Sequence, residues 1–244
     1  MKTDRNRMIA VIAVYSERYV LSFVYLCFAL SSLHDFTGIL SGRIGQETTE
    51  FFDATHQLTL FLFSLFTSLL LLLARRTTVP PQKLQFVLVP LVTTFFTFLY
   101  YAVSCFPPSW QANVCPPACQ VPVFAAGLLC IIIGPAFAFW GILHLGRSFG
   151  IYVNVRKIVM TGPYRWVRHP MYLGWTIFII GFVLTNFSYA YILLVAIHLA
   201  LMLYRANLEQ TQLAAHSTEY REYMKHTGFI FPRLPNPFSR RRNS

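Results

Sequence analysis

The chain has 244 residues, of which 55% are hydrophobic and only 12% are charged. Soluble domains carry about 25% charged residues, so this composition excludes an ordinary soluble domain. The net charge of +11 would suit a nucleic-acid binding protein, but no binding module is recognisable in the sequence, and we predict no nucleic-acid partner.

The apolar residues fall into six blocks, each close to the roughly 20 residues that a transmembrane helix needs. Between the fifth and sixth blocks stands only the sequence TNFS, which predicts a tight helical hairpin that need not cross the membrane fully. The predicted fold is therefore all-α, a polytopic membrane bundle of about six transmembrane helices. In chain order, the blocks cover residues 18–34, 57–74, 84–105, 121–143, 170–186 and 189–206.

Lysine and arginine are concentrated in every second polar segment. The N-terminal segment, the sequence ARRTTVPPQK, the segment from Arg147 to Arg168 and the C-terminal tail are basic, whereas residues 106–120 carry no charge. Because basic loops of membrane proteins stay in the cytoplasm, the alternation predicts an integral, multi-pass protein with both termini cytoplasmic. The polar stretch at residues 161–170 is then also cytoplasmic.

The five cysteines do not have the spacing of metal ligands, and we predict no metal site. Cys27 and Cys130 stand in apolar runs, where a free cysteine is expected to pack. Cys105, Cys115 and Cys119 share one loop. One disulfide is compatible with this loop if it faces an oxidising compartment, and the sequence does not indicate its pairing.

Three glycines recur at seven-residue spacing in the fourth apolar block. They are Gly127, Gly134 and Gly141. Small residues on one face of a transmembrane helix allow a neighbouring helix to approach closely. The pattern therefore predicts a packing face rather than a ligand site.

Glu209 is the only acidic residue between Asp53 and Glu219. Arg205 precedes it by four residues, so the two share one face of a helix. An ion pair near the membrane interface explains this spacing. A functional site explains it equally well, because ionisable groups at membrane depth tend to be functional.

The sequence TGPYRWVRHPMYLGW, residues 161–175, is unusually polar for its position beside an apolar block. Proline and glycine in GPY indicate a turn. Pro170 suits the first turn of a helix, which places Arg168 and His169 at a helix N-terminus. Free backbone N–H groups and an arginine there favour a carboxylate or a phosphate. Binding of lipid headgroups by interfacial arginine, tyrosine and tryptophan is the alternative.

The order of motifs over residues 140–231 resembles one family of membrane enzymes. The sequence LHLGRSFGIYVNVRKIVMTGPYRWVRHPMYLGW, a helical hairpin, R-x-x-x-E and EYREY are similar to the isoprenylcysteine carboxyl methyltransferase and phospholipid methyltransferase superfamily. The resemblance implies S-adenosylmethionine as cofactor, bound in a cytosolic pocket. It also implies a catalytic methyltransferase core at residues 121–244, preceded by N-terminal transmembrane helices in residues 1–120.

The resemblance also implies roles for individual residues. Arg205 and Glu209 are expected to be catalytic. Where the family commonly has two adjacent glutamates, this chain has Glu209 and then Gln210. This departure implies a different methyl acceptor or an altered activity. The residues expected to bind the cofactor are His144, Gly162, Pro163, Tyr164, Arg168, His169, Pro170, Tyr172 and Glu209.

The sequence therefore predicts an integral membrane methyltransferase with a lipidic or hydrophobic acceptor, within surrounding membrane lipids. Carboxyl O-methylation of an isoprenylcysteine-like acceptor is the first expectation, and phospholipid N-methylation and small-thiol S-methylation are alternatives. A nicotinamide-dependent reductase of the sterol type and a non-catalytic membrane scaffold also remain open. The style of the GPYRWVRHP sequence resembles bacterial members, which favours the bacterial inner membrane over the endoplasmic reticulum. The sequence does not indicate the oligomeric state.

Overall fold

The computed structural model describes residues 2–42 and 48–233. These residues are mainly helical, which confirms the predicted all-α class, and their β pairing consists of two isolated bridges. In chain order, the helices are α1 (Lys2–Tyr15), a π-helical turn (Ser16–Leu21), α2 (Ser22–Gly42), α3 (Thr48–Leu73), α4 (Gln85–Phe95), a 3₁₀ segment (Phe96–Cys105), α5 (Pro108–Gln111), α6 (Pro117–Leu145), two 3₁₀ turns (Gly146–Ser148 and Gly162–Arg165), α7 (Pro170–Thr185), α8 (Tyr189–His216) and α9 (Thr218–His226).

All six predicted apolar blocks lie on helices. In the described part of the chain, three helical segments are long and apolar enough to cross a membrane, and three further apolar helices are shorter. The length and hydropathy of these helices are those of a membrane protein, whereas the number of helices that cross the membrane stays a prediction. The long segments are Asp4–Gly38, Pro117–Ser148 and Tyr189–His216, and the short ones are Leu60–Leu73, Gln85–Tyr100 and Pro170–Thr185.

The first helical segment is longer than its apolar block at residues 18–34. Helix runs without a break from Lys2 to Gly42 through the π-helical turn. The 35 residues of Asp4–Gly38 extend about 50 Å, against a hydrocarbon core of about 30 Å. Hydropathy identifies only the apolar part of such a helix. The polar N-terminal turns extend the helix further, because their backbone groups form the same hydrogen bonds as those of the apolar turns.

The chain divides into two compact units. The first consists of residues 1–91 and 145–157, and the second of residues 92–144 and 158–244. The expected boundary at residue 120, between N-terminal helices and a catalytic core, is a functional division, and it stays a prediction.

In the first unit, α2 and α3 are joined by reciprocal serine bonds. Ser22 Oγ donates to the Ser68 carbonyl oxygen at 2.8 Å, and Ser68 Oγ donates to the Ser22 carbonyl oxygen at 2.8 Å. Both side chains are buried. Each hydroxyl therefore has a backbone partner inside an apolar contact, as buried polar groups require.

The π-helical turn of the first unit holds a buried carboxylate. Glu17 is 2% exposed. Its Oε1 accepts bonds from the backbone N–H groups of Ile151 and Tyr152, at 2.6 and 2.8 Å. Its Oε2 accepts bonds from Asn154 Nδ2 and Arg156 Nη2, at 3.0 and 2.7 Å. A full set of donors thus compensates the desolvation of this charge.

In the second unit, the three spaced glycines of α6 lie against α7. A Cβ added to Gly127 would lie 2.9 Å from the Gly181 carbonyl oxygen, and one added to Gly134 would lie 2.7 Å from the Gly174 carbonyl oxygen. Gly141 is buried beside the first turn of α7. The predicted packing face is therefore confirmed, and it brings the two helix backbones into direct contact.

Replacing Gly134 with alanine is expected to lower the free energy of unfolding by about 1–3 kcal/mol, the usual cost of overpacking. The new methyl group would meet backbone atoms of α7, including the Phe178 nitrogen at 2.5 Å, and backbone cannot rotate away. Thermal unfolding in detergent measures the effect. Gly38→Ala is the control, because a Cβ there meets nothing within 4 Å. Equal melting temperatures for the two variants would contradict this account of the contact.

The five cysteines all lie in the described residues, and all are free thiols. The disulfide considered for the loop at residues 105–119 is therefore not formed in the structure. Cys130 packs against α7 at Gly181, as predicted. The prediction that Cys27 packs is wrong, because its side chain is exposed on α2. An apolar run in a membrane helix has faces toward lipid as well as toward protein, and hydropathy does not separate them.

Candidate functional site

The sequence GPYR forms a 3₁₀ turn that begins at Gly162 with a φ angle of 59°. This left-handed value favours glycine, and a Cβ there would also collide with the His144 ring at the end of α6. His144 Nδ1 donates to the Trp140 carbonyl oxygen at 3.0 Å. The Trp140 ring lies 5.8 Å from the Trp166 ring. The structure therefore brings His144 to the turn together with two tryptophan faces.

Helix α7 begins at Pro170, and His169 is the residue before its first turn. This confirms the predicted start of the helix. The backbone N–H groups of Arg168 and His169 donate to the carbonyl oxygens of Gly228 and Phe229, at 2.9 and 3.2 Å. Both residues are thereby fixed at the helix N-terminus by a segment that follows α9.

The polar stretch is bound along its length by residues 218–230, which we call the C-terminal strap. The Tyr223 hydroxyl donates to the Tyr164 carbonyl oxygen at 2.5 Å. The Gly228 N–H donates to the Trp166 carbonyl oxygen at 3.1 Å. With the two bonds to Arg168 and His169, these contacts fix the backbone on which the predicted site residues stand.

Arg168 is half-buried against the strap. Its Nη1 donates to the carbonyl oxygens of Met224 and Thr227, at 3.1 and 2.5 Å. Its guanidinium carbon lies 5.8 Å from the centre of the Phe229 ring. Its Nε is buried and has no hydrogen-bond partner among the described residues. One part of the guanidinium therefore caps the end of α9, while another part has a donor without an acceptor.

His169 is buried and neutral. Burial, and then the positive charges of Arg168 and Arg205, lower the pKa of its imidazole to about 3. Its Nδ1 lies 4.0 Å from Glu209 Oε2, so the contact is not an ion pair at neutral pH. The ring packs against Tyr172 and Phe229, with centres 5.4 and 5.1 Å apart. In the described structure its Nε2 is buried and lacks a partner.

Glu209 on α8 is the centre of a polar cluster. Its Oε1 accepts bonds from the Tyr172 hydroxyl at 2.5 Å and from Arg205 Nε at 3.3 Å. Arg205 is 6% exposed, and its Nη1 also donates to Thr94 Oγ1 at 3.0 Å. The Arg205 guanidinium carbon lies 5.5 Å from the centre of the Tyr172 ring. The predicted i, i+4 pair is therefore present, and it belongs to a partly buried network in which Arg205 is buried and Glu209 is partly exposed.

The predicted site residues form two neighbouring groups in the second unit. Gly162, Tyr164 and His144 meet at the turn, whereas the residues around the start of α7 meet Arg205 and Glu209. Gln210 is outside this network, since its Nε2 donates to Asn207 Oδ1 at 3.0 Å. The sequence predicts no role for Thr94, Tyr220, Tyr223 or Phe229, although the EYREY motif contains two of them.

The chemistry of the cluster suits a ligand with a carboxylate, a cation and an aromatic group. Arg168 Nε is an unused donor, and His169 Nε2 can donate or accept. Buried polar groups without partners cost about 1–3 kcal/mol each unless a ligand supplies the partner. The Glu209 carboxylate suits a cation, and the tryptophan faces suit a nucleobase. S-Adenosylmethionine has all these groups, so the residues present fit it.

Comparison with known proteins agrees with this chemistry. Residues 122–218 match the model of the phospholipid methyltransferase family. No curated protein matches the chain. The matched residues include the GPYR turn, α7, Arg205 and Glu209, and therefore both groups of site residues. Residues 122–218 are thus similar to the phospholipid methyltransferase family, in agreement with the resemblance seen in the sequence.

Proposed function

We propose that the chain is a membrane methyltransferase that uses S-adenosylmethionine to methylate a lipidic or hydrophobic acceptor. The observation that carries the proposal is the Glu209 cluster, in which Tyr172, Arg205 and His169 surround one carboxylate. This cluster lies within the segment that matches the phospholipid methyltransferase family. The unpaired donor Arg168 Nε supports a ligand with an anionic group, and the unpaired His169 Nε2 supports a polar ligand beside it.

Arg168 and the N-terminus of α7 would hold the carboxylate of the cofactor, because both favour an anion. His144, Trp140 and Trp166 would provide aromatic faces for the adenine. When bound, the cofactor supplies an electrophilic methyl group on a sulfonium and leaves as S-adenosylhomocysteine. The neighbouring apolar helices would exclude water from that methyl group and align it with the acceptor.

For the acceptor, the motif order favours carboxyl O-methylation of an isoprenylcysteine-like molecule. A carboxylate needs no base, so Glu209 would then orient the cofactor's ammonium. A phospholipid amine is the second candidate, and it is favoured by the matched family and by the Glu209 charge. An ammonium acceptor must lose a proton before methylation, and Glu209 would accept it.

Replacing Glu209 with glutamine is expected to reduce methyl transfer much more than it reduces the amount of folded protein. For an amine acceptor, loss of the base should lower the rate by about 10²–10⁴-fold. For a carboxylate acceptor, the loss should be smaller and should appear as weaker cofactor binding. Transfer of a radiolabelled methyl group to each acceptor class measures the difference.

Glu222→Gln is the matched control, because Glu222 is exposed and pairs only locally, with Lys225 Nζ at 2.8 Å. This variant should retain wild-type transfer. Full activity of the Glu209 variant toward every acceptor would contradict a catalytic role and leave the ion pair with Arg205 as its function. Absence of transfer to prenylcysteine, phospholipid amine and thiol acceptors by the wild type would contradict the proposed activity.

A further inference from the structure

We infer that Tyr220 is a further cofactor-binding residue, whose hydroxyl donates a hydrogen bond to the carboxylate of the bound cofactor. The inference rests on the proposed function and extends it to a residue of the C-terminal strap. It predicts that α9 recognises the amino-acid end of the ligand and does not act only as a structural support.

The hydroxyl of Tyr220 is buried without a partner. The residue is 3% exposed, and no described residue forms a hydrogen bond with its hydroxyl. Its neighbour Tyr223 has a comparable environment, with ring centres 5.6 Å apart, yet the Tyr223 hydroxyl is bonded to a backbone carbonyl. A buried hydroxyl without an acceptor destabilises the protein, so its presence needs a compensating role.

Tyr220 stands on the helix that Arg168 bonds, and the Arg168 charge acts on its phenol. It stands one helical turn before Met224, whose carbonyl oxygen accepts a bond from Arg168 Nη1. Arg168 Nε is a second buried donor that has no partner in the described chain. One of these unpaired donors stands on α9, and the other belongs to the guanidinium that bonds the carbonyl oxygens at the end of α9. An anionic ligand at this helix could accept from both.

The electrostatics of Tyr220 agree with a donor role. Burial raises the pKa of the phenol above its usual value, and the neighbouring Tyr223 and the charges of Arg168 and Glu209 also act on it. The hydroxyl therefore keeps its proton at physiological pH. A neutral phenol on which the Arg168 charge acts adds a donor for a carboxylate without adding charge.

Tyr220→Phe separates ligand binding from folding, because it removes only the oxygen. We expect it to weaken binding of S-adenosylhomocysteine by at least about tenfold, the effect of losing one hydrogen bond to a charged group. The melting temperature of the ligand-free protein should stay the same or rise, since an unsatisfied buried group is lost. Tyr223→Phe should instead lower that melting temperature, because its hydroxyl has an internal partner.

The ligand 5′-methylthioadenosine, which lacks the amino-acid end, provides the specific control. The wild type and Tyr220→Phe should bind it equally. Unchanged affinity for S-adenosylhomocysteine in the variant, or an equal loss for both ligands, would overturn the inference and leave the proposed function intact. If the wild type binds neither ligand, the proposed function fails, and the inference fails with it.

Discussion

Replacing Arg168 with alanine is expected to weaken binding of S-adenosylhomocysteine by about 100-fold or more. Losing one partner of a buried, hydrogen-bonded charge pair costs about 2–5 kcal/mol, and each 1.4 kcal/mol is a factor of ten. The cost arises because the ligand carboxylate would enter a partly apolar site with no guanidinium to compensate it. Calorimetric titration of the purified protein measures the affinity.

The same substitution should also lower the melting temperature, because Arg168 Nη1 bonds two carbonyl oxygens at the end of α9. The sequence predicts an anionic ligand as the partner of Arg168, whereas the structure adds these internal partners. Tyr223→Phe is therefore the matched control, since it loosens the same strap without removing charge. If Tyr223→Phe lost as much affinity as Arg168→Ala, the effect would come from the strap and the carboxylate would be elsewhere.

Replacing Arg156 with methionine is expected to lower the free energy of unfolding by about 3–5 kcal/mol. The substitution would leave Glu17 buried without its cation. Removing one partner of a buried pair is costly, because the remaining charge keeps its desolvation penalty and loses its compensation. Arg156 also donates from Nη1 to the Phe149 carbonyl oxygen, which would lose that bond. Thermal and denaturant unfolding in detergent measure the change.

Lys157→Met is the control, because Lys157 is the next residue, carries the same charge and is exposed. It should change stability by less than about 0.5 kcal/mol, as is usual for surface positions. The double variant Glu17→Met and Arg156→Met should recover only part of the loss. It removes the unpaired buried charge, but the Ile151 and Tyr152 N–H groups lose their acceptor. A loss below about 1 kcal/mol for Arg156→Met alone would show that the pair is not desolvated in solution.

Local patterns predicted much of the fold and part of the site. The apolar blocks located the helices because burial of apolar groups in lipid requires continuous runs. Pro170 marked the start of α7, since its missing N–H costs nothing there. The spacing of Arg205 and Glu209 predicted their ion pair, and the spaced glycines predicted the contact of α6 with α7.

Contacts between residues distant in the sequence could not be predicted in this way. Glu17 and Arg156 are 139 residues apart, and no local periodicity links them. The strap contacts of Tyr223 use a backbone carbonyl as acceptor, and any residue type can supply one. The EYREY motif contributes to the family resemblance, but only the structure shows that the Tyr223 hydroxyl is bonded, whereas the Tyr220 hydroxyl has no partner among the described residues.

The most direct test of the account is calorimetric titration of the detergent-purified protein with S-adenosylhomocysteine, with reduced nicotinamide dinucleotide phosphate as the control. The account predicts saturable binding of S-adenosylhomocysteine with one site per chain and no binding of the nicotinamide cofactor. Binding of the nicotinamide cofactor alone would indicate a reductase of the sterol type. Binding of neither compound would contradict a methyltransferase and indicate a non-catalytic scaffold, in which case Gln210→Glu would be the first variant to examine.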